Sequence, residues 1–164
     1  GRRDYDIVIS ALSSLSVAQS KNLSVCILGH CQGGHRNKIL VELQEVLSVD
    51  FSENFLTADE FDQKGMSSSI LLAPLQRHME YGTYKGSGAI GDAIYLGKHI
   101  ILPDFADPDK EFEPISYYYS KVTELAHVFE NIATLSAKPI DPSYYSKFTT
   151  TNIRETIIKE LNLN

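Results

Sequence analysis

The chain has 164 residues, 43% of them hydrophobic and 22% charged, a size and balance suited to one hydrophobic core and unlike those of a disordered chain. No apolar run approaches the roughly 20 residues of a membrane-spanning helix, and no basic-then-apolar secretory leader is visible. Fifteen Lys and Arg against 21 Asp and Glu leave a net charge of -6, which excludes a general nucleic-acid-binding face and confines any anion binding to a local site.

Residues 4–20 carry Ile7, Val8, Ala11, Leu12, Leu15 and Ala18 on one helical face. The run Leu23-Ser-Val-Cys-Ile-Leu-Gly29 reads as a buried strand closed by glycine. Residues 37–46 return to helical spacing through Ile39, Leu40, Leu43 and Val46, and a short strand is expected at 49–51. Thr57-Ala-Asp-Glu60 has the form of a capping box, with Thr57 capping a short helix and Glu60 reaching back to it. Residues 69–73 form the next strand, stopped by Pro74, and 75–86 a polar loop. Residues 88–96 read as a helix ended by Gly97, and 99–102 as a strand stopped by Pro103. A Pro- and Asp-rich loop, a Tyr117-Tyr-Tyr119 run and a helix over 122–133 follow. Two further helical pieces lie near 143–148 and 153–161, with Asn152 a cap for the last.

The repeated helix–strand order implies right-handed crossovers and a parallel sheet. The expected fold is α/β: a three-layer, Rossmann-like, doubly wound parallel sheet with helices on both faces, in a single domain over 1–164. The abrupt start at Gly1 suggests a piece of a longer protein. Cys26 reads as a buried small hydrophobe. Cys26 and Cys31 lack the spacing and the second pair of a zinc site. A disulfide is not expected of what reads as an intracellular chain.

Ligands of open parallel sheets sit beyond the carboxyl ends of the strands. Two stretches fall there. Gly29-His-Cys-Gln-Gly-Gly34 matches neither a dinucleotide fingerprint nor a phosphate loop; it is either a flexible turn or a side-chain-free wall beside a ligand. The second stretch, residues 81–93, opens a helix at Ser87-Gly88-Ala89, where free backbone N–H groups favour an anion such as a diphosphate. Lys85 adds a positive charge just before it. Asp92 lies about one and a half turns on, positioned to accept hydrogen bonds from ribose or sugar hydroxyls. An ordinary capped helix with a solvated Asp92 is the competing reading.

These segments together resemble the C-terminal, donor-binding domain of a GT-B glycosyltransferase of the large retaining family 4. Arg3-Asp-Tyr-Asp-Ile-Val-Ile-Ser-Ala-Leu12 is similar to that family's helix opening, and Ser24-Val-Cys-Ile-Leu-Gly29 to its central strand. Leu56-Thr-Ala-Asp-Glu-Phe61 with Ser69-Ile-Leu-Leu-Ala-Pro-Leu75 is similar to the next segment. Ser87-Gly-Ala-Ile-Gly-Asp-Ala-Ile-Tyr-Leu-Gly-Lys-His-Ile-Ile101 is similar to its Glu-Ala … Gly-Lys-Pro-Val-Ile block.

The resemblance spans about residues 3–135. It implies that Arg3 contacts the donor diphosphate, that Ser87, Gly88 and Ala89 approach the same phosphates, that Asp92 binds the donor ribose, and that Gly29 and His30 line the strand end nearby. The family's first Glu falls at Tyr84, Glu80-Tyr81-Gly82 resembles its Glu-Gly-Phe-Gly four residues early, and its Pro is His99.

The implied function is the donor half of an enzyme moving a sugar from a nucleoside diphosphate to a glycan, lipid or other acceptor. No cofactor, metal or nucleic acid is involved. The partners are a nucleotide-sugar donor and an N-terminal Rossmann domain outside this chain. The expected location is cytoplasmic, with peripheral membrane association through the rest of the protein. A degenerate binding or assembly module and half of a sugar-nucleotide epimerase are the alternatives. His30, His35, His78, His99 and His127 have no metal-ligand spacing, and His99 and His127 read as structural. Asp104, Asp107 and Asp109 read as a solvated loop. Ser87 lies outside the G-x-S-x-G context of a hydrolase.

Overall fold

The computed structural model describes residues 3–29, 34–52, 54–82 and 85–160. Its order is α1 (Tyr5–Ser13), α2 (Val17–Ser20), β1 (Ser24–Ile27), α3 (Gly34–Gln44), β2 (Ser48–Phe51), α4 (Ala58–Ser67), β3 (Leu71–Leu72), α5 (Gly88–Leu96), β4 (Ile100–Pro103), β5 (Ser116–Tyr119), α6 (Val122–Glu130), α7 (Ile132–Ser136), α8 (Pro142–Ser146) and α9 (Thr150–Glu160). The fold is α/β, as expected, and every strand pairing is parallel. Among the described residues no helix is long and apolar enough to cross a membrane.

Local chemistry sets the helix ends. Asp4 caps α1 by accepting from the Ile7 N–H at 3.2 Å. The helical face read over 4–20 is two helices, because Ser16 and Gln19 form a capping box that starts α2 afresh. The box expected at Thr57 is present: Thr57 accepts from the Glu60 N–H, and Glu60 accepts from the Thr57 N–H at 2.8 Å. Gly97 closes α5 in the left-handed region at φ 63°, a conformation that glycine adopts without a Cβ penalty. Asn152 is not the cap of α9; it lies inside that helix, and its N–H donates to the Thr149 hydroxyl. A threonine one turn earlier thus takes the capping role.

The parallel strands form two ladders, β1–β2 and β3–β4–β5, where one doubly wound sheet was expected. Arg3 and Asp4, lying against Pro74 and Leu75, mark the break. β3 directs the Leu71 and Ala73 N–H groups to β4, at 2.9 and 3.0 Å. Pro74 has no N–H to offer the other side, and its carbonyl accepts from the Asp4 N–H. Arg3 bridges Leu75 antiparallel. The entering chain therefore occupies the place where another strand would continue.

Side chains nevertheless join the two ladders. Ile27 and Val49 pack in one cluster with Ile101, Tyr119, Leu12 of α1, Leu43 of α3 and Leu125 of α6. The alternate residues Leu71, Ala73, Ile100 and Leu102 enter a second cluster with Ile90, Ala93 and Leu96 of α5 and Tyr144 of α8. The period of two along β3–β5 thus sends apolar groups to helices on either face.

The 104–115 loop is organised by a buried carboxylate, correcting the solvated reading. Asp107 is 3% exposed and accepts from the Glu111 and Phe112 N–H groups, both at 3.0 Å. The Tyr118 hydroxyl donates to the same carboxylate. Gly82 reaches this loop at φ 81°, where an added Cβ would lie 2.3 Å from the Phe105 carbonyl oxygen; no other residue fits without moving backbone.

Cys26 is half-buried, not wholly so, and its thiol donates to Asp50 across the ladder at 3.5 Å. Burial and the Asp50 charge both push the thiol up, while Lys64 pairs with Asp50. His127, expected to be structural, lies exposed on α6 beside Glu130 at 3.5 Å. Cys31 and His30 lie outside the described residues.

Asp107→Ala should cost about 2–3 kcal/mol in urea unfolding, because two amides and a phenol lose their acceptor; a change of the size seen at exposed sites would contradict the role. Asp50→Asn should lower the Cys26 thiol and speed its alkylation at neutral pH. Peptide-resolved mass spectrometry follows that site, and an unchanged or slower rate would refute the coupling.

Candidate functional site

Parallel strands end on the same side, so β3, β4 and β5 deliver Ala73, Pro103 and Tyr119 to one edge. The chain entering α1 lies on that edge through Arg3 and Asp4. The Arg3 carbonyl accepts from the Gln76 side-chain amide at 3.2 Å, which fixes the segment in place. α5 begins from the same side, since it follows the loop leaving β3 and runs back toward the start of β4.

Two residues expected to share a ligand influence each other electrostatically here. Asp92, on α5, is half-buried, and desolvation pushes its carboxyl up while the Arg3 charge pulls it partly back. Arg3 therefore acts on Asp92 from the far end of the sequence. Its Nη1 is buried without a hydrogen-bond partner. Ser87 directly precedes α5, makes no side-chain cap and has a buried, unpartnered Oγ. Its carbonyl accepts from the Ile90 N–H at 3.0 Å, and the first-turn N–H groups of Gly88 and Ala89 have no partner within the helix. Gly88 has open space where a Cβ would be, so its glycine is not forced by packing.

Other expected residues stand apart. Lys85 is exposed; its carbonyl accepts from the Gly82 N–H at 3.0 Å, closing the turn before α5. Glu80 is exposed and left-handed at φ 57°, ending a short 3-10 turn over Arg77–Met79. Among the described residues no hydrogen bond or ion pair joins the Glu80 or Lys85 side chains to Arg3, Ser87 or Asp92. Gly29 is exposed just beyond β1, with open space around it. Tyr84 and His30 lie outside the described residues.

Tyr119, whose run reads from the sequence as core with a nucleobase contact as the alternative, also reaches this edge. It is 2% exposed at the end of β5, and its hydroxyl is buried and unpartnered. Burial pushes that hydroxyl up, with Asp4 adding and Arg3 opposing. The signal was present in the Tyr117–Tyr119 alternation, which puts these two tyrosines on the same face of a strand. Arg3 Nη1, Ser87 Oγ and Tyr119 OH are three buried polar groups without partners on one edge of the sheet. Buried donors are normally satisfied, so this edge holds unused hydrogen-bonding capacity beside Arg3 and the partly desolvated Asp92; Asp104, which follows β4, is paired with Arg77.

No family model matches the chain, and no curated protein or solved structure matches it either.

The raised Asp92 carboxyl makes stability depend on pH in a set direction. Its ordinary value is 3.8 and its folded value is higher. As pH rises through the window between them, the native state holds more protons than the unfolded one, and stability is lost. Asp92→Asn removes that loss. Its stability relative to the parent should therefore rise from below pH 3.8 to neutral pH, in urea titrations at each pH. A constant or shrinking difference would contradict a desolvated Asp92.

Proposed function

We propose that this chain is the donor-binding half of a glycosyltransferase, taking a nucleoside diphosphate sugar at the carboxyl edge of β3–β5. The single observation that supports this most is that the half-buried Asp92 carboxyl of α5 feels the charge of Arg3. A guanidinium offers paired N–H donors to phosphate oxygens. The open first turn of α5 adds backbone N–H groups and the positive end of its dipole. The Asp92 carboxyl accepts hydrogen bonds from ribose hydroxyls.

In transfer, the sugar–phosphate bond breaks and negative charge grows on the departing diphosphate. Donors already fixed around that group lower the barrier without reorganising. Arg3 and the Ser87–Ala89 turn do this work. The acceptor, a glycan or lipid, and the second Rossmann domain belong to the rest of the enzyme. So do the cytoplasmic location and any peripheral membrane association. Alone, the chain binds donor nucleotide and does not turn it over.

Calorimetric titration with uridine, guanosine and adenosine diphosphates tests the reading. One of them should bind saturably, and Arg3→Gln should weaken it about tenfold or more, the loss of a charge-assisted contact. Absence of binding by all three would overturn the donor role and leave the assembly module, in which the fold has lost its ligand.

A further inference from the structure

The opposite edge of the three-stranded sheet carries a different chemistry. A pocket of about 250 Å³ lies at the amino ends of β3 and β4, lined in part by Ser69, Lys98, His99, Ser136, Lys138 and Tyr145. Among the described residues no carboxylate lines it, although acids outnumber bases in the chain by 21 to 15. We infer that this pocket is a second, separate binding site, for a small oxyanion of the phosphate or sulfate class.

His99 is fixed in the pocket wall. It is 6% exposed, with Nδ1 3.3 Å from the Ile115 carbonyl oxygen and Nε2 3.0 Å from that of Lys138. The positive charge of the pocket comes from Lys98 and Lys138, which line it with no carboxylate among the described residues.

Helix ends at this edge do not consume the lysines. The Ala93 and Ile94 carbonyls at the end of α5 already accept from the Lys98 and Gly97 N–H groups, at 2.9 and 3.2 Å. The Leu135 carbonyl of α7 accepts from the Lys138 N–H and the Tyr117 hydroxyl. Lys98 Nζ gives one hydrogen bond to the Met66 carbonyl at 2.8 Å, and an ammonium has two donors more. Lys138 Nζ lies 5.6 Å from the Tyr117 ring centre and makes no salt bridge among the described residues.

Tyr145 lines the pocket, and its hydroxyl is buried with no partner among the described residues. The volume falls below the roughly 300–1,000 Å³ of pockets for drug-sized ligands, which favours a small ion or one phosphoryl group over a whole nucleotide sugar.

Amide NMR titrations with sodium phosphate, sodium sulfate, glucose 6-phosphate and sodium chloride test this. Phosphate and sulfate should shift residues 69, 97–99 and 136–138 saturably, and chloride should not. Lys138→Gln, a change at an exposed side chain, should weaken phosphate about tenfold; Lys98→Gln should do the same. Glucose 6-phosphate binding more tightly than phosphate would identify the ligand as the phosphoryl end of a larger molecule, and equal or weaker binding as the free ion. Shifts equal to those in chloride, shifts confined to residues 85–92, or no effect of Lys138→Gln would overturn the site. Because the donor proposal reads out at 85–92, either can fail without the other.

Discussion

β4 has no free face. Ile100 and Leu102 point into one apolar cluster and Ile101 into the other, each with no accessible surface. A strand buried on both sides needs a parallel neighbour on each edge and helices over each face, and β3, β5, α5, α1 and α6 meet those needs. From this one constraint the rest follows. All three carboxyl ends lie on one edge and all three amino ends on the other, and each edge receives whatever polar residues the connecting loops carry.

The two edges differ in kind. At the carboxyl edge the charge of a guanidinium acts on a partly desolvated carboxylate, with buried hydroxyls that have no partner among the described residues. Such groups destabilise the folded protein unless something binds there, and perturbed carboxylates of this sort concentrate at functional sites. At the amino edge Lys98 and Lys138 line a pocket with no carboxylate among the described residues. The Asp107 network shows the contrasting case: its carboxylate is more deeply buried than that of Asp92, yet two amides and a phenol satisfy it, so it organises a loop and leaves nothing over for a ligand.

Much of this was legible in the residues, and the exceptions have physical causes. The Thr57 capping box, the helix from Gly88 to Leu96 and its Gly97 stop depend on contacts within one turn, which spacing alone reveals. The α/β class follows from alternating periods. The division into two ladders does not, because it turns on where residues 3–5 lie against Pro74 and Leu75. Asp107 looked like a surface aspartate because its partners lie along a loop with no periodicity. Asn152 and Thr149 are both good caps by type, and only the geometry distinguishes them. At the site, Arg3 and Asp92 came from a family resemblance, and the Arg3 charge does reach the Asp92 carboxyl, whereas Tyr119 arrives at the same edge only through the alternation along β5.

The central claim is that the edge holding Arg3, Ser87 and Asp92 receives a nucleoside diphosphate. A crystal structure of the protein soaked with uridine, guanosine or adenosine diphosphate tests it most directly. The account predicts the diphosphate against the Gly88 and Ala89 N–H groups and within hydrogen-bond distance of the Arg3 guanidinium, with the ribose toward Asp92. A nucleotide bound at any other surface, the amino edge included, would contradict it.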